Sequence, residues 1–448
     1  MDACKEGSEL SGKQLIRAGR IEYICEDSPL KVNPPKMCQI IGGVLLTLGI
    51  KRAVPLIHGS QGCANFVKHL MCRHFKEPIE IATTGVNEKF AAMGGERNLV
   101  DAVENIRKRI NPDIIVVNTT CLIETIGEPL HVVEEMRDVV AARTASYSGS
   151  HLDGYDTTLL EVLRKLTRKA REEDRGDEER EFVNIIPGFV NPGDVSELKK
   201  LLDFVELNLL TDLEAIDAPL FESYFDRGTK VEDIANASSA VATVHFGEGE
   251  RSASFLESRG VEEIKMSFPV GIENTDRLVS KVSGLMGIEI PDSVYEMRNY
   301  ALDGIIDVSH VLRGKRVAIF GDPNKVVSLA EFCFELGMKV TAVMTGVKSR
   351  GFAEEMERVA VKNKAKIAVF ENSDLHTLHK FVKENPVSVI IGDYRGRYIA
   401  KAEKIPLLRV GFPVCDRFGY HRLPMVGYGG ALRMAEEMGN LITGGYWG

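Results

Sequence analysis

Arg316-Val317-Ala318-Ile319-Phe320 is a short apolar, β-branched run that stops at Gly321-Asp322-Pro323, and its reading decides the fold. A run of this length, bounded by turn residues, predicts a strand buried on both faces. Three more such runs follow at residues 339–343, 366–370 and 388–391, and stretches of helical periodicity, such as residues 326–336, separate them. Strand and helix alternating in this rhythm predict an α/β fold with a doubly wound, mostly parallel sheet. Gly321-Asp322-Pro323 then falls at the carboxyl edge, where such sheets bind ligands. The sequence contains no G-x-G-x-x-G and no G-x-x-x-x-G-K-[ST], so neither a dinucleotide fingerprint nor a P-loop is present. If the system uses ATP, another chain binds it.

Upstream, residues 113–118 form another β-branched run behind Asn111-Pro112, and residues 96–110 before it are amphipathic, which predicts helix then strand. Residues 164–181 are almost wholly charged and read as a solvated helix face or linker, with a domain boundary there. A new apolar run opens at residues 182–186, closed by Pro187-Gly188 and Asn191-Pro192-Gly193. The first thirty-odd residues mix charge with little periodicity and read as an N-terminal arm.

A chain of 448 residues exceeds one ordinary core, so two or three domains are expected. Its 44% hydrophobic and 27% charged residues are those of a globular protein, and its net charge of −9 offers a polyanion no basic surface, which argues against nucleic acid. Met1-Asp2-Ala3-Cys4-Lys5-Glu6 lacks the basic-then-apolar pattern of a secretory signal. The longest apolar stretch, between Lys36 and Lys51, is broken by Gly42, Gly43 and Gly49 and falls short of the roughly 18 residues a membrane span needs. The expectation is a soluble, cytoplasmic protein with no membrane partner.

Eight cysteines are too sparse for a disulfide scaffold and read as free thiols, metal ligands or redox groups. Three have distinctive settings. Cys38 lies in Asn33-Pro34-Pro35-Lys36-Met37-Cys38 with Gly42-Gly43 behind; Cys63 ends His58-Gly59-Ser60-Gln61-Gly62-Cys63; Cys121 follows a strand in Asn118-Thr119-Thr120-Cys121. At strand ends and glycine-rich turns, backbone N–H groups can face a bound anion, and thiolates with nearby amide donors are what an iron–sulfur cluster needs. The spacings of 25 and 58 residues exclude a local clip, so any site is assembled by the fold. A four-thiolate cluster needs one ligand more, from a second chain or an oxygen. The competing reading, three buried structural thiols, stands beside this one. Cys72, Cys333 and Cys415 read as core thiols, Cys4 and Cys25 as part of the arm, and His58, His74 and His151 as packing or hydrogen-bonding histidines rather than ligands.

At these residues the sequence resembles the β-type subunits of the nitrogenase component 1 family. The resemblance runs through His58–Cys63, Arg73-His74-Phe75-Lys76-Glu77-Pro78, Gly94-Gly95, Thr119-Thr120-Cys121, Glu124-Thr125-Ile126-Gly127, Ser148-Gly149-Ser150-His151 and Phe189-Val190-Asn191-Pro192-Gly193-Asp194. It continues in Gly321-Asp322-Pro323, Leu408-Arg409-Val410-Gly411-Phe412-Pro413, Asp416-Arg417 and Gly427-Tyr428-Gly429-Gly430, in order over residues 33 to 440. It implies three Rossmann-like domains, here 33–178, 179–311 and 312–448 behind an arm at 1–32. It further implies an α-type partner, an α2β2 heterotetramer, and an ATP-dependent iron protein that donates electrons. Cys38, Cys63 and Cys121 would ligate a P-cluster, an eight-iron, seven-sulfur cluster at the αβ interface. Ser150 would add an oxygen ligand in oxidised forms, and Gly62 and Ser150 would contact the cofactor. The resemblance makes the chain an oxidoreductase subunit that relays electrons and carries no catalytic acid or base.

Departures bear on the substrate. The family's Ile-Gly-Asp-Asp is here Ile126-Gly127-Glu128-Pro129. The middle and C-terminal segments look most like vanadium-iron and iron-iron β chains, whereas the His58–Cys63 block is closer to the molybdenum type. Reduction of dinitrogen and carbon–sulfur cleavage of the methylthio-alkane reductase kind both fit. The alternative is a β-like subunit of a cofactor-assembly scaffold with a four-iron, four-sulfur cluster, whose chains commonly lack the first or third cysteine. A dark-type tetrapyrrole reductase matches the flanking motifs less well, and a periplasmic-binding-like sensor leaves the three cysteines unexplained.

Overall fold

The computed structural model describes residues 14–18, 21–25, 31–167, 181–219 and 222–444. Most of the charged run at 164–181 lies outside them. Fifteen strands are described. They are β1 (Gln14–Ala18), β2 (Ile21–Cys25), β3 (Ala53–His58), β4 (Ala82–Thr83), β5 (Ile114–Thr119), β6 (Val139–Ala142), β7 (Val183–Ile186) and β8 (Leu207–Leu209). Then come β9 (Ala242–His245), β10 (Glu262–Lys265), β11 (Arg316–Gly321), β12 (Lys339–Thr345), β13 (Ile367–Glu371), β14 (Val389–Gly392) and β15 (Leu407–Arg409). They build three mostly parallel sheets distributed over two compact units. Among the described residues no helix is long and apolar enough to cross a membrane.

One unit comprises residues 1–36, 302–410 and 432–448. Its sheet runs β1-β2-β13-β12-β11-β14-β15. The four runs expected as strands are β11 to β14, and their interiors are buried because helices cover both faces. β2 joins β13 in parallel and β1 folds back on β2, so part of the segment read as an arm extends this sheet as a hairpin. β11 lies between β12 and β14, so the winding reverses there. At that reversal Asp322 N-caps the helix Pro323–Glu335 and pairs with buried Lys325 at 2.9 Å. Beside it Arg395 clasps Asp393 through two guanidinium nitrogens and donates to the Pro34 carbonyl at 3.1 Å. Ion pairs, each with one buried and one half-buried member, thus stand at the strands' carboxyl ends.

The other unit, residues 37–301 and 411–431, holds two parallel four-stranded sheets, β4-β3-β5-β6 and β10-β9-β7-β8. In the first, β3 and β5 are central and buried along their whole length. Its helices are α1 (Gln39–Leu48), α2 (Gln61–Phe75), α3 (Glu88–Met93), α4 (Glu96–Ile110), α5 (Cys121–Ile126), α6 (His131–Glu134) and α7 (His151–Leu166). α4 has the bounds its amphipathic pattern predicts, and it buries Leu99, Val103 and Ile106, one stripe at helical spacing, against Val54, Leu56, Ile115 and Val117.

α1 is buried at all ten positions. It reaches this depth because Gly42 and Gly154 remove the side chains where α1 meets α7. A Cβ on Gly42 would lie 1.8 Å from the His151 carbonyl oxygen, and one on Gly154 would lie 1.9 Å from the Gln39 carbonyl oxygen. The two helices therefore start side by side, tied by the His151 N–H to the Met37 carbonyl at 3.1 Å.

Candidate metal centre

In a parallel layer each strand ends, and each following helix begins, at the same edge. β3 and β5 are hydrogen-bonded neighbours with His58 opposite Thr119, so the turns after them are adjacent. Cys63 sits in the first turn of α2, after β3, and Cys121 opens α5, after β5. Gly59 packs directly on the Thr120 side chain between the two turns. Cys38 is the N-cap of α1, and α1 starts beside α7, whose N-cap Ser150 follows β6. All four positions fall at one sheet edge.

The sulfurs have polar neighbours. The Ser146 backbone N–H donates to Cys121 Sγ at 3.2 Å, and the Ser60 hydroxyl donates to Cys63 Sγ at 3.5 Å. The Ser146 hydroxyl also accepts the N–H of Gln39, next to Cys38, at 3.1 Å. Cys38 and Cys63 are half-buried and Cys121 is exposed. Cys333 and Cys415, by contrast, are buried, and burial pushes the Cys333 thiol far up; Cys72 is half-buried. Cys4 lies outside the described residues, and Cys25 ends β2. Gly62 opens outward: a Cβ there would meet only Ser60 Oγ, at 3.9 Å, so packing within this chain does not require a glycine.

Ser150 is turned toward its own helix. Its hydroxyl and its N–H donate to Asp153 Oδ2 at 2.9 and 2.7 Å, a capping box that occupies the side chain. To act as an oxygen ligand it would have to leave Asp153. Among the described residues no three His, Cys, Asp or Glu side chains converge on a site for a single metal ion. The thiols share an edge without closing a site on their own.

The histidines are packed and bonded. His74 presents Nε2 to Asn191 Oδ1 at 2.8 Å and accepts the Val414 N–H on Nδ1 at 2.9 Å; complete burial pushes its pKa down to about 3. His151 stacks edge-on against Phe189. His58, at the end of β3, lies 3.0 Å from Thr84 Oγ1 through Nδ1 and 3.4 Å from Glu128 Oε1 through Nε2. Burial lowers its pKa, partly offset by the carboxylates of Glu128 and Glu124. The sequence alone does not mark Ser60, Ser146 or Glu128 as site residues. Ser60 and Ser146 stand within or beside quoted motifs, and Glu128 was visible as a departure from one.

The sequence model for nitrogenase component 1 type oxidoreductases matches residues 38–443. The chain belongs to that family. Among its relatives is the nitrogenase molybdenum-iron protein beta chain of Methanococcus maripaludis, 36% identical over 95% of this chain and 97% of the relative. The nitrogenase vanadium-iron protein beta chain of Trichormus variabilis is 34% identical over 92% and 94%. A solved structure described as nitrogenase Cp1 at pH 6.5 superposes with a TM-score of 0.89 at 33% identity, covering 94% of this chain and 95% of that one. As a nitrogenase component 1 oxidoreductase similar to β chains of molybdenum and vanadium types alike, the chain has the α/β architecture that the run at 316–320 predicts.

Proposed function

We propose that this chain is the β-type subunit of a two-component nitrogenase-like reductase, in which Cys38, Cys63 and Cys121 supply one half of the thiolate shell of a P-cluster-type eight-iron, seven-sulfur cluster. The observation that carries the reading is the placement of all three cysteines at one sheet edge, with the Ser146 N–H on Cys121 Sγ. Such a cluster, when bound, stores and passes single electrons at a potential set by its ligands, charge and hydrogen bonds. The residues of this chain do the rest. The thiolates bind iron, the Ser146 amide stabilises sulfur charge, and Gly62 leaves room for close approach.

An α-type subunit closes the shell, and two such pairs assemble as α2β2. Exposed Phe66 (54%), Ile126 (40%) and Tyr147 (67%) follow closely on Cys63, Cys121 and Ser146, and a partner covering that edge would bury them. Electrons enter from an ATP-dependent iron protein and leave to the metal cofactor of the α subunit, where dinitrogen or a methylthio-alkane is reduced. This chain relays them. Iron and acid-labile sulfide analysis of the purified αβ complex tests the reading. Eight irons per pair support it, four support the assembly scaffold, and none removes the cluster from this chain.

A further inference from the structure

α1 is apolar along its length except at Gln39 and Thr47, and Thr47 donates its hydroxyl to the Gly43 carbonyl of the same helix at 2.7 Å. Gln39, next to Cys38 and only 3% exposed, reaches off the helix instead. Its Nε2 donates to the Ala145 carbonyl at 2.7 Å and to the Ser148 hydroxyl at 2.8 Å. A buried amide without partners is costly, so this side chain is fixed where both acceptors lie. Ala145 and Ser148 are the two ends of one tight turn. The Ser148 N–H and hydroxyl both donate to the Ala145 carbonyl, at 3.0 and 2.7 Å. Within that turn stands Ser146, whose N–H is on Cys121 Sγ at 3.2 Å and whose hydroxyl accepts the Gln39 N–H at 3.1 Å. Cys38, the N-cap of α1, makes no side-chain cap, so the Ser146 hydroxyl serves the start of that helix in its place.

We propose that Gln39 is a positioning residue: it clamps the turn at residues 145–148 so that the Ser146 N–H stays on the Cys121 sulfur, and thereby raises the potential of the cluster. This rests on the ligand reading above. The turn has little packing of its own within this chain, because Ser146 is half-buried and Tyr147 and Ser148 are exposed. What fixes it is hydrogen bonding, and Gln39 meets it at both ends and, through its backbone N–H, in the middle. One residue thus ties the helix start that carries Cys38 to the donor that serves Cys121. An amide N–H on a thiolate sulfur offsets negative charge, which is greatest in the reduced cluster, so a well-aimed donor favours reduction. A turn freed from Gln39 aims the same N–H less well, although no atom next to the sulfur has changed.

The test compares wild type, Gln39→Met and Ser148→Ala in the complete αβ complex, with iron content measured first. Gln39→Met keeps the length of the side chain and removes both donors; Ser148→Ala removes one acceptor at an exposed position where folding is not at stake. Two readouts follow: amide hydrogen exchange of residues 145–148, and the midpoint potential of the cluster at one fixed pH, titrated by its paramagnetic resonance signal. The expected result in Gln39→Met is unchanged iron, faster exchange in the turn, and an equilibrium moved at least about threefold towards the oxidised form, about 28 mV for a one-electron couple. Ser148→Ala should move both readouts in the same direction and less far. Faster exchange with a wild-type potential in both variants overturns the proposal. So does loss of iron in Gln39→Met with a wild-type potential in Ser148→Ala, which would make Gln39 structural only. Absence of iron from the wild-type complex fails the cluster reading instead, and the first measurement tells the two apart.

Discussion

The backbone N–H of Ser146 is aimed at Cys121 Sγ over 3.2 Å. The donor belongs to the main chain, so the contact survives truncation of the serine. Ser146→Ala should keep the iron content of the αβ complex and lose about 1 kcal/mol of stability, because the hydroxyl that accepts the Gln39 N–H is gone. Iron analysis and thermal melting check it; iron loss would mean that the hydroxyl, and not the amide, serves the sulfur.

Cys63→Ala should lower iron content and weaken αβ assembly, since no other described cysteine stands in the first turn of α2. Cys72→Ala, in the last turn of the same helix α2, should leave both unchanged. Parallel iron assays with size-exclusion chromatography separate the two. Equal behaviour of the two variants would remove Cys63 from the ligand set.

Ser150→Ala should cost about 1 kcal/mol by deleting the N-cap of α7. Iron content in the reduced complex should stay near wild type, because the hydroxyl is bonded to Asp153. Loss of the cluster from the reduced complex would contradict this.

Gly154→Ala should be the most damaging of these changes to stability. The added methyl would stand 1.9 Å from the Gln39 carbonyl oxygen, and backbone on backbone has little room to yield. Overpacking of this kind costs about 1–3 kcal/mol. A denaturant midpoint no different from wild type would mean that α1 and α7 separate readily.

Acid should destabilise the protein partly through His74. Its pKa is held below the unfolded value, at about 3, so between pH 6.5 and about 3 the unfolded chain binds a proton that the folded chain refuses. Stability contributed by this residue is complete above pH 6.5 and declines as pH falls, by at most about 1.4 kcal/mol per pH unit. Burial lowers His58 and His421 in the same direction. Thermal melting at pH 7, 6 and 5 should show a smaller decline in His74→Gln than in wild type.

Strands β11 to β14 of the larger sheet were legible because each is a buried apolar run with a turn residue after it, and α4 because its stripe of Leu99, Val103 and Ile106 repeats at helical spacing. The three cysteines stood out through their glycine and polar neighbours. What stayed hidden is what distance in sequence conceals. The hairpin of β1 and β2 gains its place by pairing Ile21–Cys25 with Ile367–Glu371, and no local pattern announces a partner so remote. The facing of His58 and Glu128 depends likewise on β3, α4 and α5 being folded together. Glu128 alone reads as a solvated acid at a turn.

The charges at the winding reversal of the larger sheet bear on redesign. Lys325 with Asp322 and Arg395 with Asp393 occupy the mouth into which open α/β sheets elsewhere admit a nucleotide. A phosphate arriving there would have to win each cation away from an acid already in contact with it and leave that acid unpaired and largely shielded from water. Grafting cofactor recognition onto this sheet must therefore begin by deleting Asp322 and Asp393, so that the two cations are freed for the newcomer.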